Sequence, residues 1–135
     1  MLTRYLSARY VDGGRELPCL DCWGMTILAR HELFGLPMLS SFGEVHRQHT
    51  LEFQRAYRGE VSRALEECTP FPGAIAAVLR GAVCTHVGLV VMKDGRLQVL
   101  EINPASGARV VRLQEFKDSY MKVVFYRDRD PDEQA

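Results

Sequence analysis

No charge of one sign dominates this chain: 17 Lys and Arg residues balance 17 Asp and Glu residues. Without a global positive field there is no electrostatic footprint for nucleic acid and no pull toward an anionic membrane. Long hydrophobic runs are also missing. Runs such as residues 87–92 have the length of a strand and fall far short of a membrane span. The first ten residues carry Arg4 and Arg9 and lack the apolar core of a signal peptide. Cysteine is sparse, with four in the chain. In a protein kept in the cytosol or carried in an assembled particle, these are expected as reduced thiols and not as a disulfide framework. No nucleic-acid partner and no membrane partner are expected.

What is present describes one globular domain. Over 135 residues, 47% are hydrophobic and 25% charged, enough to bury a core without staples. Residues 9–20 read as a loop, punctuated by Asp12-Gly13-Gly14 and Pro18. A helix is predicted from Cys22 to Phe34, with Asp21 as N-cap, Gly35 as C-cap and Pro37 blocking continuation. A second helix is predicted over residues 44–67, with Gly59 as a candidate kink. Beyond Cys68 the pattern changes to strands over residues 74–80, 84–92, 96–102, 108–113 and 120–126. Lys93-Asp94-Gly95 and residues 104–107 mark the turns. Helices followed by an antiparallel meander predict an α+β fold: a domain over residues 1–127 and a charged, frayed tail over 128–135.

Cys22 opens a helix, where the helix N-terminus favours a thiolate and the first backbone amides can stabilise an oxyanion. His86 opens a distant strand and can supply the base. Cys19-x-x-Cys22 also permits a redox pair, or a zinc site completed by Cys84 and His86. The redox pair lacks the strand it needs, and zinc leaves Tyr10, Gly13-Gly14 and Pro72-Gly73 unexplained. His46 and His49, beside Glu44 and Glu52, read as a solvated helix face. His31, late in the first helix, suits the dipole and is assigned no chemistry.

Tyr10-Val11-Asp12-Gly13-Gly14, Asp21-Cys22, Pro72-Gly73 and His86-Val87-Gly88 occur in an order and spacing similar to the NlpC-type cell-wall peptidases. That family is papain-like and cuts peptide bonds in peptidoglycan stem peptides. The resemblance covers roughly residues 9–103 and implies a papain-like fold, with helices packed on a C-terminal antiparallel sheet. It implies Cys22 as nucleophile, His86 as general base and Tyr10 beside the nucleophile on the oxyanion side. No metal and no organic cofactor are expected.

Three positions depart from the family pattern. Trp23 replaces the usual serine, which resembles the branch found in bacteriophage tail-tip proteins. Its expected role is packing against the sheet or, alternatively, walling the substrate groove. Ala74 replaces an acidic residue after Pro-Gly. Val99-Leu100-Glu101 stands where the family often reads Val-Leu-His, which makes Glu101 the candidate third catalytic residue. A carboxylate can hold the imidazole's tautomer and stabilise its cation. Asn103, on the same strand face, is the alternative and a candidate substrate contact. The expected partners are a peptidoglycan peptide substrate and phage tail proteins, in the bacterial cytoplasm or a phage particle. A weakly active or inactive module with a structural role in the tail tip is the alternative.

Overall fold

The computed structural model describes residues 2–40 and 50–129. The predicted histidine face at His46 and His49, and the tail beyond residue 129, lie outside the described residues. A short helix α1 (Thr3–Leu6) leads into three two-residue strands: β1 (Arg9–Tyr10), β2 (Arg15–Glu16) and β3 (Cys19–Leu20). The central β3 pairs parallel with β1 and antiparallel with β2. The sequence reads this segment as loop, because two-residue strands show no side-chain period.

Helix α2 (Cys22–Phe34) has its expected limits, with Asp21 accepting the Gly24 N–H and Gly35 closing the helix at φ 65°. Its first six residues are all buried, so it is covered on every side and shows no single apolar stripe. Met25 and Ala29 pack with Leu89, Val91, Leu100 and Ile102. Trp23 and Ile27 pack with Tyr57, Ile75 and Val87.

Helix α3 (Thr50–Ala64) stops three residues before its predicted end, and Leu65–Cys68 forms strand β4. Leu65, Glu66 and Glu67 are good helix formers, yet they pair with the last strand of the chain, and tertiary pairing overrides propensity. Gly59 lies within α3 and does not end it.

The remaining elements are β5 (Ile75–Arg80), β6 (Val83–Lys93), β7 (Arg96–Asn103), β8 (Gly107–Arg112), helix α4 (Leu113–Asp118) and β9 (Lys122–Asp128). They complete a six-stranded antiparallel sheet in the order β4-β9-β5-β6-β7-β8. The protein is therefore α+β, with α2 packed against this sheet. Asp94 and Gly95 turn the β6–β7 hairpin at φ 53° and 73°, a two-residue turn that matches strand twist. Alternation divides the core. Leu89, Val91, Leu100 and Ile102 face α2, whereas Val90 and Val99 face Phe116 of α4. Helix α4 is too short to leave a period in the sequence, and residues 114–118 carried no predicted element.

Asp128, expected in a solubilising tail, instead closes β9 and pairs with Arg30 of α2, which is 1% exposed. Arg127 pairs with Glu66 on β4, and the Arg129 N–H donates to the Ala64 carbonyl. Both observations correct the expected start of the tail, because the chain remains integrated through residue 129. Among the described residues, no helix is long and apolar enough to cross a membrane.

Glycines 13, 14 and 24 fix the approach of the N-terminal segment to α2. Gly13 adopts φ 82° and donates its N–H to Asp21 Oδ2 at 2.8 Å. A Cβ on Gly14 would stand 2.5 Å from the Cys19 carbonyl oxygen, and one on Gly24 would stand 2.0 Å from that of Gly14. Two backbones therefore touch here with no room for a methyl group. Gly24→Ala is expected to cost at least about 2 kcal/mol in a urea titration, because backbone, unlike a flexible side chain, cannot step aside. A loss below about 0.5 kcal/mol would contradict this contact.

Candidate active site

Asp21 is the anchor from which the site is built. Its carboxylate accepts from Gly13 N–H, from Gly24 N–H at 2.8 Å, and from the Arg15 guanidinium at 2.7 Å. One buried side chain thus caps α2, holds the glycine loop and neutralises its own charge against Arg15. Cys22 follows as the first helical residue, where no intrahelical acceptor exists for its N–H.

His86 lies near the start of β6, opposite Val78 and just beyond an irregularity in the β5–β6 register. Gln54 of α3 anchors this end of the strand, its side-chain carbonyl accepting the Cys84 N–H at 2.9 Å. The β6–β7 ladder begins only at Leu89 opposite Leu100. His86 and Glu101 lie past that pair, where the ladder has ended. There the imidazole, on the α4 face, interacts electrostatically with the Cys22 thiol of α2.

His86 is 3% exposed, and its Nε2 is 2.7 Å from Glu101 Oε1. The Tyr120 hydroxyl donates to the same oxygen at 3.3 Å, and Arg109 Nε donates to Oε2 at 2.8 Å. Gly88 makes this approach possible, because a Cβ there would stand 2.7 Å from a Val99 methyl and 3.6 Å from the Glu101 Cβ. The rings of Phe116 and Tyr120 lie 6.3 and 5.9 Å from the imidazole, roofing it from the α4 side.

Burial by itself would drive the His86 proton off, but the neighbouring Cys22 thiol and the Glu101 carboxylate more than reverse this and push its pKa up to about 9. Burial likewise opposes the charge on Glu101. Its hydrogen bonds to His86 and Arg109 prevail and hold the carboxyl below its ordinary range. With Nε2 committed to an ionised carboxylate, the remaining ring nitrogen is Nδ1. It is buried and has no hydrogen-bond partner among the described residues. Nδ1 is therefore the ring nitrogen left open.

The sequence-derived candidates separate into two groups. Cys22, His86 and Glu101 come together from α2, β6 and β7. Tyr10 of β1 sits opposite Leu20 of β3, the residue two positions before Cys22, and packs partly against the α2 core cluster. Trp23 is 3% exposed, and its indole N–H donates to the Ser40 carbonyl at 2.9 Å. This corrects its assignment as a groove wall, since a ring enclosed in the core presents no face to substrate. Asn103 accepts the N–H groups of Ala105 and Ser106 at 3.1 and 2.9 Å, turning the chain after β7. It borders a cleft of about 410 Å³ with Thr85, His86, Pro104, Ala105 and Tyr120, while Glu101 takes the position against His86.

All four cysteines are free thiols. Among the described residues no three His, Cys, Asp or Glu side chains converge to hold a metal ion, so Cys19, Cys22, Cys84 and His86 do not form the alternative zinc site. Arg109 and Tyr120 were missed from sequence. A tight turn over residues 104–106 carries a register that sets Arg109 opposite Glu101, so the first was within reach. No local signal brings Tyr120 to the site. Comparison with protein-family models, with curated proteins and with solved structures gives no match.

The charge arrangement gives stability a definite pH dependence. His86 binds its proton more tightly folded than unfolded, so its contribution is complete below about pH 6.5 and disappears as pH rises through about 9. Glu101 acts oppositely, supporting the fold above its ordinary range and losing that support as pH falls. Urea titrations should show wild-type stability declining by on the order of 2 kcal/mol between those two pH values. His86→Gln should lack the decline; an equal decline in the variant would remove His86 as its source.

Proposed function

We propose that this protein is a papain-like cysteine hydrolase of the NlpC type, cleaving peptide bonds of bacterial peptidoglycan stem peptides and associated with a phage or prophage tail. The observation that carries the reading is the convergence of two remote side chains, Cys22 and Glu101, on the His86 imidazole. Glu101 occupies Nε2, Nδ1 is left open, and the Cys22 thiol is its neighbour. The motifs Asp12-Gly13-Gly14, Asp21-Cys22-Trp23-Gly24 and Pro72-Gly73 support the same reading through their similarity to that family.

In this mechanism Nδ1 of His86 takes the thiol proton and the sulfur attacks the scissile carbonyl. The Cys22 N–H, at the positive end of α2, is a donor for the resulting oxyanion. Collapse of the tetrahedral adduct breaks the C–N bond as the imidazolium protonates the leaving amine. A thioester remains on Cys22. Water, deprotonated by Nδ1, then releases the acyl group as a carboxylic acid and restores the thiol. Glu101 keeps the ring oriented and stabilises its cation throughout.

A second reading rests on burial. Cys22 is 1% exposed and does not border the cleft beside His86. A sulfur enclosed in this way suits a tail-tip module whose role is structural, and turnover requires the enclosure to open.

Two measurements separate the readings. Cys22→Ala and His86→Ala should each reduce muropeptide cleavage at least about 1000-fold while retaining the folded far-UV spectrum. Iodoacetamide should alkylate Cys22 below about pH 8, and much more slowly in His86→Ala. Undiminished cleavage in either alanine variant ends the hydrolase assignment. An inert Cys22 thiol in the folded protein favours the structural module.

A further inference from the structure

Glu101 differs from a neutral third residue in carrying a full negative charge into a dry site. It is 1% exposed, and the only way to keep such a charge is to surround it with donors. Three are present, and they divide its two oxygens unequally. Oε1 serves His86 and Tyr120, while Oε2 serves Arg109. Arg109 stands directly across the β7–β8 ladder from Glu101, so the backbone register itself delivers the guanidinium. Its side chain is 45% exposed while the carboxylate's is 0% exposed, so one end of the pair reaches solvent and the other reaches the imidazole.

We propose that Arg109 is a positioning residue for the His86–Glu101 pair: by holding Oε2 it fixes which carboxylate oxygen meets Nε2, and by its charge it limits how strongly Glu101 binds the imidazolium. The inference rests on the hydrolase reading for its catalytic meaning, although its structural content does not.

The physical need follows from opposing requirements. A carboxylate beside imidazole enforces the Nε2–H tautomer, and the more of its charge is left uncompensated, the more tightly the ring holds the second proton that it must give up before Nδ1 can act as a base. A partner cation on the far oxygen relieves this without disturbing the near hydrogen bond. The groups acting on His86 are Cys22 from α2, Glu101 from β7 and Tyr120 following α4, with Arg109 from β8 acting through Glu101. Phe116 of α4 and Val78 of β5 add burial without charge. Arg109 is thus the one permanent cation in direct contact with this group of side chains among the described residues.

The test compares Arg109→Gln, Arg109→Lys and wild type. Glutamine retains a hydrogen-bond donor but removes the charge, whereas lysine restores the charge without the planar fork. The His86 imidazole is titrated by NMR, its resonance assigned by its disappearance in His86→Gln. Arg109→Gln should raise the His86 midpoint by about half a unit or more, and Arg109→Lys should bring it back toward wild type. In muropeptide cleavage the acidic limb of the kcat profile should move upward by the same amount, with KM unchanged. An unshifted or lowered His86 midpoint in Arg109→Gln, with the fold intact by circular dichroism, overturns the proposal. The NMR titration needs no substrate, so a failed hydrolase assignment and a failed role for Arg109 are read independently.

Discussion

A single hydrogen bond, from His86 Nε2 to Glu101 Oε1, organises the centre of this molecule. It joins two ionisable groups that burial alone would strip of charge, and each is sustained by the other. Much of the surrounding structure follows from accommodating it. Gly88 lacks a side chain so that the neighbouring strand can come close, Arg109 completes the carboxylate from the next strand, and Tyr120 closes the remaining side. A carboxylate without these donors would be too costly to bury.

Asp21 plays a comparable part for the helix that presents the thiol. A surface N-cap satisfies one or two amides. This one also ties down the glycine loop and is matched by Arg15. The start of α2, and with it the Cys22 backbone, is consequently set by backbone contacts on both sides, and the Cys22 side chain packs into the core beside it. Rigidity of this kind suits the proposed attack by Cys22, since a displacement of about 1 Å is enough to lose most of an oriented reaction.

The sequence announced these features unevenly. Helix α2 was legible to the residue because capping at both ends is local chemistry, written in Asp21 and Gly35. The β6–β7 hairpin was legible because Asp94-Gly95 admits few backbone conformations. Glu101 could be singled out as the third candidate, since strand alternation and the motif position agreed. The end of α3 was not legible. Leu65-Glu66-Glu67 prefers helix, and only β9, far along the chain, makes it a strand. Trp23 was ambiguous for a similar reason, because nothing near it in sequence announces the Ser40 carbonyl that receives its indole. Asp128 looked like solvated charge because its partner, Arg30, is 98 positions away.

That last pair has a consequence for how the chain is made. Arg30 belongs to a helix completed early in synthesis, yet its guanidinium is sealed in the interior against a carboxylate from the final strand. While the ribosome is still producing the meander, that cation has the nearby Pro37 carbonyl but lacks its Asp128 partner, which disfavours sealing α2 against the sheet. Full docking of the helix that carries Cys22 is thereby expected to await β9, when nearly the whole domain has left the tunnel.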